Sequence, residues 1–106
     1  MPKYMFEVSY SMEGMRGIME QGAANRAAFI AEMSKGLGGN IESFNFAFGE
    51  TDAFVIGDLP DDETAAAIAM AVGASGAASI STVKLLTPEQ IDRARGIKTG
   101  WRPPGA

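Results

Sequence analysis

KYMFEVSYSMEGMRG, residues 3–17, changes its period halfway along, and that change decides the fold. Up to Tyr10 the apolar side chains alternate. Tyr4, Phe6, Val8 and Tyr10 fall on one face and Lys3, Met5, Glu7 and Ser9 on the other, as in a half-buried strand. From Ser11 the spacing lengthens: Ser11 offers a cap, Glu13 an early carboxylate, and Met15, Met19, Ala23, Ala27, Ile30, Met33 and Leu37 recur at helical steps. Gly14, Gly17 and Gly22 each weaken a helix by about 1 kcal/mol relative to alanine, so this helix is expected in two parts, kinked before Ala23. Gly36-Leu37-Gly38-Gly39 supplies the stop.

The alternation returns over residues 40–48, with Phe44, Phe46 and Phe48 on one face. Gly49-Glu50-Thr51 then breaks the run before Asp52-Ala53-Phe54-Val55-Ile56, which reads as a hairpin. Asp61, Asp62 and Glu63 open an alanine-rich helix from Thr64 to about Val72, ended by Gly73–Gly76. Ala78 to Leu86 makes a last strand, and Thr87-Pro88-Glu89 starts a short helix with cap, proline and carboxylate in place. The tail beyond Arg95 has no period.

Strand, helix, strand, strand, helix, strand predicts an α+β, ferredoxin-like βαββαβ fold: a four-stranded antiparallel sheet in order 4-1-3-2, two helices on one face, and a short terminal helix with a tail. Residues 1–96 are expected to form the one domain and 97–106 an irregular tail. The topology gathers three loops at one end, those after Tyr10, at Gly49–Asp52 and at Gly73–Gly76, and a site is expected there.

Among the 106 residues there is no cysteine and no histidine, which removes thiolate nucleophiles, disulfides, Cys/His zinc sites and imidazole acid–base chemistry. No metal and no cofactor are expected. The net charge of −4 gives no footprint for a phosphate backbone or an anionic bilayer, so neither nucleic acid nor membrane is an expected partner. The start, MPKYMFEV, lacks the pattern of a signal peptide, and the cytoplasm is the expected compartment.

Several segments together carry a resemblance: the MPKY strand, KGLGGNIESF, FGETDAFVI, LPDDETAAAIAMAVGASG and STVKLLTPEQID. In order and spacing they resemble the GYD-domain family over roughly residues 2–93. The Gly-x-Tyr-Asp motif that names the family falls on Gly49-Glu50-Thr51-Asp52, where glycine and aspartate match and Thr51 replaces the tyrosine. The resemblance implies a ferredoxin-like domain related to dimeric α+β barrel proteins. It implies no particular reaction.

Each candidate site residue carries two readings. Glu50 and Asp52 at the hairpin tip are a proton-transfer or cation-binding pair beside Tyr10, or they are turn chemistry. Tyr10 and Arg16 hold an anionic ligand at the start of the first helix, or they are a core-edge aromatic and a surface charge. Met12, Met15 and Met19 line an adaptable apolar pocket above that end, or they pack the core. Trp101 is a frayed end or an arm on a neighbouring subunit.

Three functions compete. The first is a domain that binds a small apolar or anionic organic molecule between sheet and helices. The second is a non-catalytic oligomeric or regulatory module, and the third a cofactor-free enzyme of the dimeric α+β barrel kind, suggested by fold analogy alone. A sheet with both helices on one side leaves Met5 and part of the third strand on the other, so a homo-oligomer joined through the open sheet face is expected.

Overall fold

The computed structural model describes residues 1–106. The elements follow in the order β1 (Lys3–Tyr10), α1 (Met12–Gln21), α2 (Ala23–Gly36), β2 (Asn40–Phe46), β3 (Ala53–Asp58), α3 (Asp62–Ser75), β4 (Ala78–Leu85) and α4 (Pro88–Ala94). One four-stranded sheet runs β2-β3-β1-β4, which is the expected order read from the other edge. All three pairings are antiparallel. No helix is long and apolar enough to cross a membrane.

The alternation in β1 sets the layers. Tyr4, Phe6 and Val8 are buried under the helices, joined by Ala53 and Val55 of β3 and by Leu59 and Ala65. Their register neighbours Gly57, Val55 and Ala53 share that face, as do Phe44 and Phe46 of β2. On the opposite, open face the register lines up Val83, Met5 and Ile56 in one row across β4, β1 and β3, with Ser43 of β2 at its end.

The long first helix breaks at Gly22, whose φ of 95° and ψ of 145° are open to glycine and costly for other residues. That break resets the helical phase, so the expected stripe from Met15 to Leu37 does not run through. In α1 the face turned to the body carries Gly14 and Ile18, while Met12 and Met19 are exposed; in α2 Ile30 packs against the core. Two further boundaries move. α3 passes through Gly73 and ends at Gly76, where the left-handed cap (φ 75°) is needed. β2 ends at Phe46, and Phe48 projects from the loop fully exposed instead of continuing the aromatic face.

The far end of the sheet from Tyr10 is tied to α3 by a buried phenol. Tyr4 donates its hydroxyl hydrogen bond to Asp62 in the first turn of α3, and Lys84 of β4 reaches the same carboxylate at 3.0 Å. Burial, with the Asp62 hydrogen bond second, pushes the Tyr4 hydroxyl from 10.0 up to about 12. A phenol is neutral when protonated, so the stability it contributes is present in full below pH 10 and is lost as pH rises through about 12. The Tyr4 hydrogen bond, then Lys84, holds Asp62 below the usual carboxylate range; that share is present above 3.8 and lost as pH falls below it. Tyr4→Phe is therefore expected to cost about 1 kcal/mol at neutral pH. It should also flatten the alkaline limb of a stability–pH curve measured by urea unfolding. A variant limb as steep as that of the parent would show the phenol to be a bystander.

Candidate functional site

The two main helices do not close over the sheet. α2 packs along β2 and α3 along β4, leaving the central strands covered only by side chains that reach in from either side. Alanine-rich α3 is part of the reason: of its inward residues only Ile68 and Val72 are long enough to line the gap. The gap is an apolar cleft of about 100 Å³, floored by Phe6, Val8 and Val55 and walled by Ile30, Met33 and Ile68. Leu59 closes it at one end, and Tyr10 stands at the other.

Beyond Tyr10 the cleft widens into a vestibule of about 360 Å³ between α1 and α3. Its α1 wall is the stripe Gly14, Gly17, Ile18 and Gln21, with Glu13 on the rim. Tyr10, Arg26, Val72 and Ala78 line both spaces and so mark their junction. Arg26 is half-buried there, with its guanidinium carbon 5.2 Å from the centre of the Phe29 ring, and no carboxylate lies within ion-pairing distance of it. Burial raises the Tyr10 hydroxyl above its ordinary value of 10.0; the Arg26 guanidinium beside it pulls the other way, and Asp52 adds to the rise.

The topology does bring the three loops together. The Tyr10 amide donates to the Asp52 carboxylate at 2.8 Å, and the Ser11 amide to the Ala77 carbonyl at 2.9 Å. The Asp52 amide in turn donates to the Val8 carbonyl at 2.8 Å, so this aspartate ties the hairpin to β1 through both its carboxylate and its backbone. The Glu50 carbonyl accepts the Ser9 hydroxyl at 2.7 Å, and the residue is otherwise exposed. Neither Glu50 nor Asp52 lines the cleft or the vestibule.

Of the other residues singled out in the sequence, Tyr10 is at the junction, whereas Met12, Met15, Arg16 and Met19 line neither space. Met12, Arg16 and Met19 are exposed and Met15 is half-buried, because it is the Ser11 and Gly14 backbone that sits directly against Ala77. The arginine that lines both spaces is Arg26. Its signal is in the sequence once the helix is restarted at Gly22: Arg26, Ile30 and Met33 are spaced i, i+4, i+7, so a lone cation lies on the inward stripe of α2.

The GYD domain profile matches residues 4–94. No curated protein and no solved structure matches the chain significantly.

Proposed function

We propose a binding function for this chain, which belongs to the GYD-domain family. The ligand is a small organic anion with an apolar body. The body lies in the cleft over Phe6, Val8 and Val55, and the anionic head meets Arg26 and the Tyr10 hydroxyl where the cleft opens. One observation carries this reading: an arginine without a carboxylate partner is held half-buried at the mouth of an apolar cleft. Placing a guanidinium there costs desolvation, and a ligand carboxylate or phenolate returns it through a charge-assisted hydrogen bond. The reading stops at binding, because the carboxylates that would share proton transfer with Tyr10, Glu50 and Asp52, stay outside the lining.

The test is a thermal-shift panel of aryl and alkyl carboxylates beside their neutral amides. Ligand binding to the folded state alone stabilises it by RT ln(1 + L/Kd) at free ligand concentration L, so the melting temperature keeps rising with ligand concentration above Kd. Carboxylates are expected to raise it and amides to do so far less. Arg26→Gln should weaken the carboxylate affinity roughly tenfold and leave the melting of the free protein almost unchanged. Equal shifts from acids and amides, or none from any member of the panel, would sink the anionic reading.

A second reading rests on a separate observation, the Val83–Met5–Ile56 row on the open face, flanked by Phe54. Its members are only half-covered in one chain. Pairing two open faces about a two-fold axis would bury the row, so the chain is also proposed to act as a homodimer.

A further inference from the structure

Residues 86–106 leave the body after Leu85 and do not return to it. Every residue from Leu86 to Ala106 is exposed, and α4 makes no extensive packing on the sheet or the other helices. Every hydrogen bond and ion pair found for this stretch is local, among them the Thr87–Gln90 capping box and the Arg95–Asp92 pair at 3.7 Å. The molecule is consequently elongated, 57 × 33 × 23 Å, with a radius of gyration of 17.0 Å against about 13 Å for a compact chain of this length.

We propose that this segment is an arm that docks on a second copy of the chain. Three observations select that occupant. The first is area: the chain exposes 7429 Å², roughly 1,800 Å² more than a compact monomer of its mass. Doubled over two copies, that excess is the size of an obligate dimer interface. The second is the arm's own surface, which carries Leu86, Ile91, Ile97 and Trp101, the last 74% exposed, on a segment that its capping box has already shaped. Preorganisation of this kind lowers the ordering cost of docking.

The third is charge. The arm holds Arg93, Arg95, Lys98 and Arg102 against Glu89 and Asp92, a net +2, while residues 1–85 hold five basic and eleven acidic residues, a net −6. The body of another copy is therefore an electrostatic complement to the arm, which favours and steers the encounter. The departure point fits as well: Leu85 pairs with Lys3 on the open side of edge strand β4, so the arm springs from the rim of the face left bare. This inference goes beyond the ligand reading and does not depend on it.

Trp101, the only tryptophan, reports the arm directly. Light scattering on the full chain at micromolar concentration is expected to give twice 11.1 kDa, with Trp101 emission shifted to the blue and returning to a solvent-like position on dilution. In the full chain, Ile91→Asp combined with Ile97→Asp should weaken association roughly tenfold or more and leave Trp101 solvent-like, and Trp101→Ala should weaken it in the same direction. High salt should weaken it too. A monomer at every concentration overturns the proposal, as does a dimer whose Trp101 stays solvent-like or whose dissociation constant ignores the Ile91/Ile97 change. A blue shift produced only by anionic vesicles or duplex DNA would instead assign the arm to those partners and equally overturn it.

Discussion

Leu59→Ala is expected to lower the stability of this chain by about 2–5 kcal/mol, the range for truncating a fully buried leucine. Leu59 is 1% exposed, the largest of the side chains that are completely covered. Its amide donates to the Pro2 carbonyl at 3.1 Å, which pins the residue just after β3. Its side chain lies over Gly39, so close that a Cβ built there would stand 2.9 Å from the Leu59 Cδ2 atom. Two elements thus depend on one side chain: the exit from α2 and the turn into α3. The seven-residue core cluster leaves little else to fill the space. For a chain of this size each kcal/mol corresponds to roughly 4–8 °C in melting temperature, so a drop of about 10 °C or more is expected. Urea unfolding should show the midpoint falling at constant slope. A loss below about 1 kcal/mol would mean that α2 and α3 collapse into the vacated end. The variant also bears on function, because Leu59 is the closed end of the cleft: longer apolar acids should gain affinity relative to shorter ones in it.

The sheet order, the buried face of β1 and the end at which the loops meet were all legible from spacing, because each rests on a local period or on connectivity. The site was less legible, and the reason is specific. In sequence, Met12, Met15 and Met19 form a convincing apolar stripe, and Arg16 stands among them near Tyr10. Reading that stripe inward ignores how closely α1 approaches the sheet. At Gly14 the backbone of α1 nearly touches that of Ala77, in the turn before β4, and no side chain fits between them. Glycine marks the packed side there, and Met12 and Met19 the exposed side, the reverse of the usual hydrophobic rule. The arginine escaped for another reason. Arg26 stands four residues before Ile30 and seven before Met33, on their stripe of α2, but a cation at an inward position carries no apolar signal to mark it. Phe48 misled differently: alternation continues to it in sequence, but the pairing with β3 ends one step past Phe46, at the bond from the Ala47 amide to the Asp52 carbonyl at 2.8 Å, and Phe48 lies in the turn beyond it. Backbone proximity is a property of the pair of segments that meet, and no single-segment pattern contains it.

Gly14→Ala puts that explanation to the test, since two effects of opposite sign meet at one residue. Alanine should stabilise the interior of α1 by about 1 kcal/mol through helix propensity alone. Against this, a Cβ at position 14 would lie 2.0 Å from the Ala77 carbonyl oxygen and 3.0 Å from its carbon. Neither atom can step aside cheaply, because that oxygen already accepts the Ser11 amide at 2.9 Å and the Ser11 hydroxyl at 3.1 Å. The helix must lift instead, straining or breaking both bonds at its own N-cap. Overpacking of this kind costs about 1–3 kcal/mol, and losing a serine cap contact about another 1 kcal/mol. The clash wins, and the variant should be less stable by roughly 2 kcal/mol. Three residues on, Gly17 has nothing within 4 Å of its built Cβ and no left-handed backbone, so Gly17→Ala should stabilise by up to about 1 kcal/mol. Both glycines lie on the vestibule wall, so composition and position are matched and only the approach to Ala77 differs. Opposite signs in denaturant unfolding of the two variants would establish that α1 is held through bare backbone against Ala77, in the turn that leads into β4. Stabilisation by both would show that α1 stands off from the sheet, and the vestibule would then have a different wall.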